Sequence, residues 1–273
     1  MNTEIERGID ISKYQNLRGT VDFSKVKMDG YSFVMLRAVS SNNSGVYIDP
    51  YFNVNYHAAK EAGLKVGAYL FTYAEDYTYL YQELDMLFKA IDGKQFEYPI
   101  AFDIEVKGIA SLGRIKCTDI AMEGLKKIQE HGYYAQLYTY YAYQKNYLDM
   151  SRLSVYDLWI ADYRGYCGYS GSYGIWQYTS QKTVSGITGN CDANISYKDY
   201  SSIIKNAKLN GYGETVFSPY KATAQHNLNI RENDNSGSKI DGVIKSESII
   251  TVEEESNGYA KISGWVSKKY LEE

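Results

Sequence analysis

Tyr98-Pro99-Ile100-Ala101-Phe102-Asp103-Ile104-Glu105 reads as an apolar strand that ends in two carboxylates on alternate positions. Alternate residues of a strand point to the same side, roughly 6–7 Å apart at the backbone. Asp103 and Glu105 therefore share a face, and Ile104 points the other way. Two acids held that close do not both ionise freely, so one has a raised pKa and keeps its proton. That is how a general acid is made. A solvated strand end, where Asp and Glu are common, is the plain alternative, and the rest of the chain decides between them.

Outward from this stretch, further β-rich runs lie near Gly8–Ile11, Ser32–Ala38, Lys65–Tyr73, Tyr133–Thr139, Leu158–Ala161, Tyr173–Tyr178 and Cys191–Ile195. Amphipathic segments separate the early ones: Asp49–Ala62 behind an Asp-Pro start, Asp76–Ile91, and Thr118–His131 closing on Gly132. The first strand-to-strand steps are about 27 to 35 residues, the length of a βα unit. After Leu158 they shrink to roughly 15–18, too short for a full crossover helix. The pattern predicts an α/β fold: an irregular TIM-like barrel of about eight strands and five helices, mainly parallel. A doubly wound open sheet is the alternative, but Gly8-Ile9-Asp10-Ile11-Ser12 lacks the glycines of a phosphate-binding turn.

Composition narrows the function. The 273 residues carry a net charge of −4, which argues against nucleic-acid partners. No apolar run approaches the roughly 20 residues needed to span a bilayer. Met1 to Tyr14 carries Glu4, Glu6, Arg7 and Asp10 and lacks the apolar core of a secretory signal. Cys117, Cys167 and Cys191 have neither disulfide-framework nor zinc-ribbon spacing and read as free thiols. His57, His131 and His226 are scattered, so no histidine-built metal site and no cofactor is expected. The 30 tyrosines suit stacking on sugar rings and suit protein interfaces equally.

In a parallel barrel the working residues sit at the C-terminal strand ends. Those ends carry Asp10 and Ser12, Arg37, Tyr69 and Phe71, Asp103 and Glu105, Tyr138, Asp162, Trp176-Gln177-Tyr178, and finally Asp192 and Asn194. One rim thus gathers several acids, one arginine and a set of aromatics. Tyr69 and Tyr138 are the better groove candidates, whereas Trp159, in an apolar strand, reads as core.

These residues resemble glycoside hydrolase family 25, the muramidases of the Chalaropsis-type lysozyme and many phage endolysins. The resemblance rests on Gly8-Ile9-Asp10-Ile11-Ser12-Lys13-Tyr14-Gln15, Phe33-Val34-Met35-Leu36-Arg37-Ala38 and Asp49-Pro50-Tyr51-Phe52. It continues through Ala62-Gly63-Leu64-Lys65-Val66-Gly67-Ala68-Tyr69, Asp103-Ile104-Glu105, Leu158-Trp159-Ile160-Ala161-Asp162-Tyr163, Ile175-Trp176-Gln177-Tyr178, and Asp192 with Asn194. Two positions depart from the family pattern: Arg37-Ala38 stands for Lys-Ala, and Leu70-Phe71 for His-Phe. The resemblance implies cleavage of the β-1,4 link after N-acetylmuramic acid in peptidoglycan. Glu105 would be the general acid and Asp103 its partner, with Asp10 and Asp192 lining the opposite side. Arg37, Tyr69, Tyr138, Asp162 and Gln177 would bind substrate. A substrate-assisted route, with Asp103 holding the acetamido group, is the favoured reading; retention or inversion by enzyme carboxylates alone stays open.

From about Asn206 the texture changes. Residues 1–205 form the expected barrel and 206–214 a linker; 215–273 form a small all-β module with ten acids, counting Glu214, against seven Lys/Arg. Leu228-Asn229-Ile230-Arg231, the turn-rich Glu232–Ser238 and Gly264-Trp265-Val266-Ser267 with Tyr270-Leu271 resemble a bacterial SH3-like cell-wall module. The expected partner is the bacterial wall polymer, with oligomeric state left open. The missing leader suggests an endolysin that waits in the host cytoplasm until lysis. Two other classes compete: a non-catalytic wall-binding protein on a hydrolase-like barrel, and a metal-dependent hydrolase using the carboxylates as ligands. Turbidity clearing of cell walls, with and without chelator, separates the three.

Overall fold

The structure is a computed structural model that describes residues 4–42, 44–213, 220–256, 258–262 and 265–272. The chain divides into two compact units, Met1–Glu214 and Thr215–Glu273.

Among the described residues, the first unit holds nine strands: β1 (Glu6–Ile11), β2 (Phe33–Asn42), β3 (Gly45–Ile48), β4 (Lys65–Phe71), β5 (Ile100–Asp103), β6 (Ala135–Tyr140), β7 (Asp157–Ala161), β8 (Ile175–Thr183) and β9 (Asn190–Ser196). Between them lie α1 (Lys13–Asn16), α2 (Phe23–Met28), α3 (Phe52–Glu61), α4 (Tyr77–Ile91), α5 (Lys107–Ala110), α6 (Arg114–Glu130), α7 (Tyr141–Tyr147), α8 (Met150–Leu153) and α9 (Tyr200–Asn206). Five of these helices reach seven residues or more. The strands run β1-β9-β8-β7-β6-β5-β4-β2 around the sheet, and pairing of β1 with β2 closes it into an eight-stranded barrel. The eight barrel strands are those expected from the apolar runs. β3 was not among them; it is a half-buried antiparallel arm on β2.

Period-two alternation sorts the barrel's residues onto two faces. Phe33, Met35, Tyr69, Ala101, Tyr138 and Trp159 form one buried cluster inside the barrel. Their neighbours Val34, Leu36, Leu70, Phe102, Leu137 and Ile160 join the outer layer, with Leu84, Leu87, Ile120 and Leu125 of the covering helices. Glycine makes the inner face possible at two points. A Cβ on Gly8 would run into the Phe33 ring, and one on Gly67 into Met35 and Tyr98. Phe33 and Tyr98 use that space to stack, with ring centroids 4.1 Å apart.

Two expectations change. The last barrel strand is not parallel: β9 runs antiparallel to both β1 and β8. Asp192 therefore reaches the mouth from near the start of its strand, directly opposite Asp10. The segment read as a linker belongs, up to Gly213, to the first unit and packs on the barrel; Glu214 lies outside the described residues. Asn210, fully buried and left-handed at φ 55°, donates to the carbonyls of Phe96 (3.2 Å) and Tyr98 (2.8 Å). Its own side-chain oxygen accepts from the Tyr134 N–H at 2.6 Å. Asn tolerates this backbone conformation better than most residues.

The second unit is all-β over its described residues: β10 (Tyr220–Ala224), β11 (Leu228–Arg231), β12 (Ile240–Ile244), β13 (Ile249–Val252), β14 (Glu254–Ser256), β15 (Tyr259–Lys261), β16 (Trp265–Ser267) and β17 (Leu271–Glu272). They form a three-stranded and a five-stranded sheet over a small core that includes Leu228, Ile244 and Val252. Residues 215–219 of the expected module, and Gly264 of its closing motif, lie outside the described residues. Among the described residues, no helix is long and apolar enough to cross a membrane.

Candidate active site

Cross-strand register brings the inward residues at the barrel mouth into a ring. Arg37 pairs with Tyr69, Phe71 with Asp103, Asp103 with Tyr138, and Tyr138 with Trp159. Gln177 pairs with Asn194, and Asp10 with Asp192. The ring encloses a pocket of about 220 Å³ whose wall includes Asp10, Asp103, Glu105 and Asp192. Asp103 is the last residue of β5 and Glu105 lies just beyond it. Both still face the pocket, while Ile104 between them is fully buried in the outer layer.

Burial dominates the electrostatics. It pushes Glu105 up to about 7, with the charge of Asp192 adding to the effect. Asp192 rises to about 6 by burial, opposed by its hydrogen bond to Asp10. Asp103, 3% exposed, goes well above the carboxylate range through burial, then repulsion from Glu105 and Asp10, with Arg37 pulling the other way. Its Oδ1 is buried with no hydrogen-bond partner. Asp10 is also raised, by burial first and by Asp192 second. Asp10 and Asp192 therefore behave as one proton-sharing pair.

The amide network around Asp10 fixes which of its oxygens is barred from carrying the pair's proton. Gln177 Nε2 and Asn194 Nδ2 both donate to Asp10 Oδ2, at 2.7 and 2.8 Å. Neither amide is free to flip. Trp159 Nε1 donates to Asn194 Oδ1 at 2.8 Å. Tyr138 and Tyr163 hydroxyls donate to Gln177 Oε1, at 2.9 and 2.5 Å. With two donors locked on Oδ2, that oxygen is an acceptor only, and any proton of the pair lies elsewhere.

Several residues thus do something other than expected. Gln177, 2% exposed, is spent on orienting Asp10 and is not a free substrate contact. Tyr69 and Tyr138 are largely buried walls of the pocket, set edge-on to Trp159, and Tyr138 also borders the cleft beside Glu105. Trp159 is core, as its strand suggested, yet its indole edge joins the network. Asp162 stays out of the acid pocket. Arg164 Nε takes its Oδ1 (2.8 Å), and Arg164 Nη2 and the Gly168 N–H take its Oδ2 (2.6 and 2.9 Å). That contact holds Asp162 below the usual carboxylate range and fastens the helix-free connection between β7 and β8. Trp176, another stacking candidate, donates its Nε1 to the Asp162 carbonyl at 2.9 Å and packs on Tyr178. Arg37 does line the pocket, anchored on Asp49.

Tyr163 and the Asp49 anchor were missed. Both stand within the motifs quoted above, but nothing local to them signals a contact with Gln177 or with Arg37 twelve residues away. Asn194 stood at the expected rim without a role.

The pocket opens on both sides. At Glu105 it meets an aromatic cleft of about 510 Å³ walled by Tyr140, Tyr141 and Tyr163. At Arg37 it meets a polar cleft of about 800 Å³ beside β2 and β3. Such a trough suits a chain-like substrate crossing the acids. Cys117, Cys167 and Cys191 are free thiols. Among the described residues, no group of three or more His, Cys, Asp or Glu is set to hold a metal ion.

Comparison with known proteins places the chain in a family. The family model described as glycosyl hydrolases family 25 matches residues 9–187. An autolytic lysozyme of Clostridium acetobutylicum is 31% identical over 191 residues, covering 68% of this chain and 54% of the relative. The chain thus spans about half the length of that relative. The fold is similar to that of the CTP1L endolysin, with TM-score 0.62 and 25% identity over 74% of this chain and 70% of the other. It is also similar to a family 25 glycosyl hydrolase from Bacillus anthracis, with TM-score 0.63 and 19% identity over 75% and 94%. The chain belongs to glycosyl hydrolases family 25.

Proposed function

We propose that the protein is an endolysin-type N-acetylmuramidase that hydrolyses the β-1,4 link between N-acetylmuramic acid and N-acetylglucosamine in peptidoglycan. The observation that carries this reading is Glu105. Its pKa of about 7 keeps it protonated up to neutral pH at the junction of the acid pocket and the aromatic cleft. Family membership and the 31% identity to an autolytic lysozyme support the substrate class.

In this reading Glu105 gives its proton to the glycosidic oxygen as the bond to the anomeric carbon breaks, and the electron pair leaves with that oxygen. The acetamido carbonyl oxygen closes on the anomeric carbon from the other side. Asp103 Oδ1, buried and unpartnered, accepts the acetamido N–H and holds the group in line. Glu105, now a carboxylate, takes a proton from water, whose oxygen attacks the anomeric carbon and reopens the ring with net retention. The negative charge that Asp10 and Asp192 share, with Asp10 oriented by Gln177 and Asn194, faces the developing positive charge. The second unit, in the same proposal, tethers the enzyme to the wall, and the protein meets the wall from the cytoplasm at lysis.

Borohydride reduction of digested walls tests the bond cut. New muramitol ends are the expected product, and new glucosaminitol ends would refute the assignment. The route is tested separately: a glycosyl adduct trapped on Asp10, Asp103 or Asp192 would replace the assisted step with an enzyme nucleophile.

A further inference from the structure

The two clefts that flank the acids differ in chemistry. The one beside Glu105 is walled by tyrosines and is almost wholly apolar, which suits the face of an unbranched sugar ring. The other, about 800 Å³, is far too large for a sugar's hydroxyls alone and carries charge of both signs. Lys13 and Arg37 line it, and so do Glu75 and Asp76.

Arg37 gives this cleft a built recognition point. Its side chain is only 8% exposed, and Nε donates to Asp49 Oδ2 at 3.0 Å. Nη2 lies 2.9 Å from the same oxygen, out of line for a hydrogen bond, and so has no hydrogen-bond partner. Nη2 is thus held to Asp49 by charge alone, and its N–H groups are open to an acceptor that enters the cleft. Asp49 itself is pinned by the Lys13 and Tyr51 N–H groups, which fixes the guanidinium plane. Lys13 lines the same cleft, its Nζ donating to the Tyr47 hydroxyl at 3.1 Å and lying 4.7 Å from that ring's centre. Arg37 borders both this cleft and the acid pocket, so a group branching from a sugar over the acids enters here.

We propose that this cleft receives the peptide branch of the muramyl residue, with Arg37 and Lys13 taking its carboxylates and Glu75 and Asp76 facing its free amine. The proposal rests on the muramidase reading above and names what that site reads. A polyanionic wall polymer fits less well, because Glu75 and Asp76 would repel it. The branch also sets register. A chain of alternating sugars can lie over Glu105 in two ways, and only one puts the branched sugar against Arg37 and the plain sugar against the tyrosines.

The test compares peptide-bearing walls with the same walls stripped by an amidase, using the full chain and its Lys13→Ala variant. The wild type is expected to cleave peptide-bearing strands with the lower KM. Lys13→Ala should raise that KM about tenfold with kcat within twofold, and should leave stripped strands unaffected. Lys13→Arg should restore most of the loss, which a merely structural role would not predict. An equal loss on both substrates, no loss on the peptide-bearing one, or a wild-type preference for stripped strands would overturn the proposal. Failure of the wild type to cut either substrate would instead refute the muramidase reading.

Discussion

Gln177 and Asn194 do one job from two neighbouring strands: each turns an amide N–H onto the same oxygen of Asp10. Their own oxygens are held by Tyr138, Tyr163 and Trp159, so the Asp10 carboxyl is oriented before any substrate arrives. Asn194→Leu removes one of those donors and leaves Trp159 Nε1 unpaired. A hydrogen bond to a charged group is worth about 1.5–3 kcal/mol, so kcat should fall by roughly 10- to 100-fold with KM little changed. Steady-state kinetics on solubilised walls measures it. The pH profile follows from the same residues. Activity should rise as Asp192 ionises near 6 and fall as Glu105 loses its proton near 7. Because the Asp192 charge raises Glu105, Asp192→Asn should move the alkaline limb of kcat/KM to lower pH. Stability has its own sign. Glu105 goes from an ordinary 4.5 to about 7 on folding, so its contribution is fully present below 4.5 and is lost as pH rises through 7. Melting temperature should therefore drop between pH 5 and pH 8, and Glu105→Gln should drop less.

At the scale of elements, the eight barrel strands were legible because near-continuous apolar runs mark strands buried on both faces, with side chains alternating between those faces. The alternation also put Asp103 and Glu105 on one side, where they are. Strand direction was not legible: no residue pattern in Asn190–Ser196 says that β9 runs backwards, although the short step before it left no room for a crossover helix. β3 escaped notice because Gly45–Ile48 is half-buried and lacks an apolar run. Asn206–Gly213 misled for a different reason. Its polar residues read as solvated, yet the Asn210 side chain is spent on three backbone groups in two other segments of the first unit. Asn210→Ala should cost about 2–4 kcal/mol, since three buried backbone groups lose their partner and the left-handed backbone strains. For a unit of this size that is a fall of roughly 5–12 °C in melting temperature, read by circular dichroism. Side-chain roles were the least legible. Gln177 and Asp162 look like rim residues in sequence, but distant partners occupy the polar atoms of Gln177, and Arg164 and Gly168 occupy those of Asp162.

As a whole molecule the chain carries two units with separate cores, and the barrel closes entirely within Glu6–Ser196. A chain ending at Gly213 should therefore keep cleavage of soluble wall fragments within about twofold, while pull-down on intact walls weakens if the second unit is the tether. The central claim is that Glu105 donates the proton that breaks the glycan. The direct measurement is the full-length Glu105→Gln protein on purified walls, with new muramic acid reducing ends counted beside wall binding and melting temperature. The account predicts a loss of at least 1,000-fold in new ends, in line with removal of an essential acid, while wall binding stays intact and the melt is unchanged or raised. Cleavage within tenfold of wild type by that folded, wall-bound protein would contradict it.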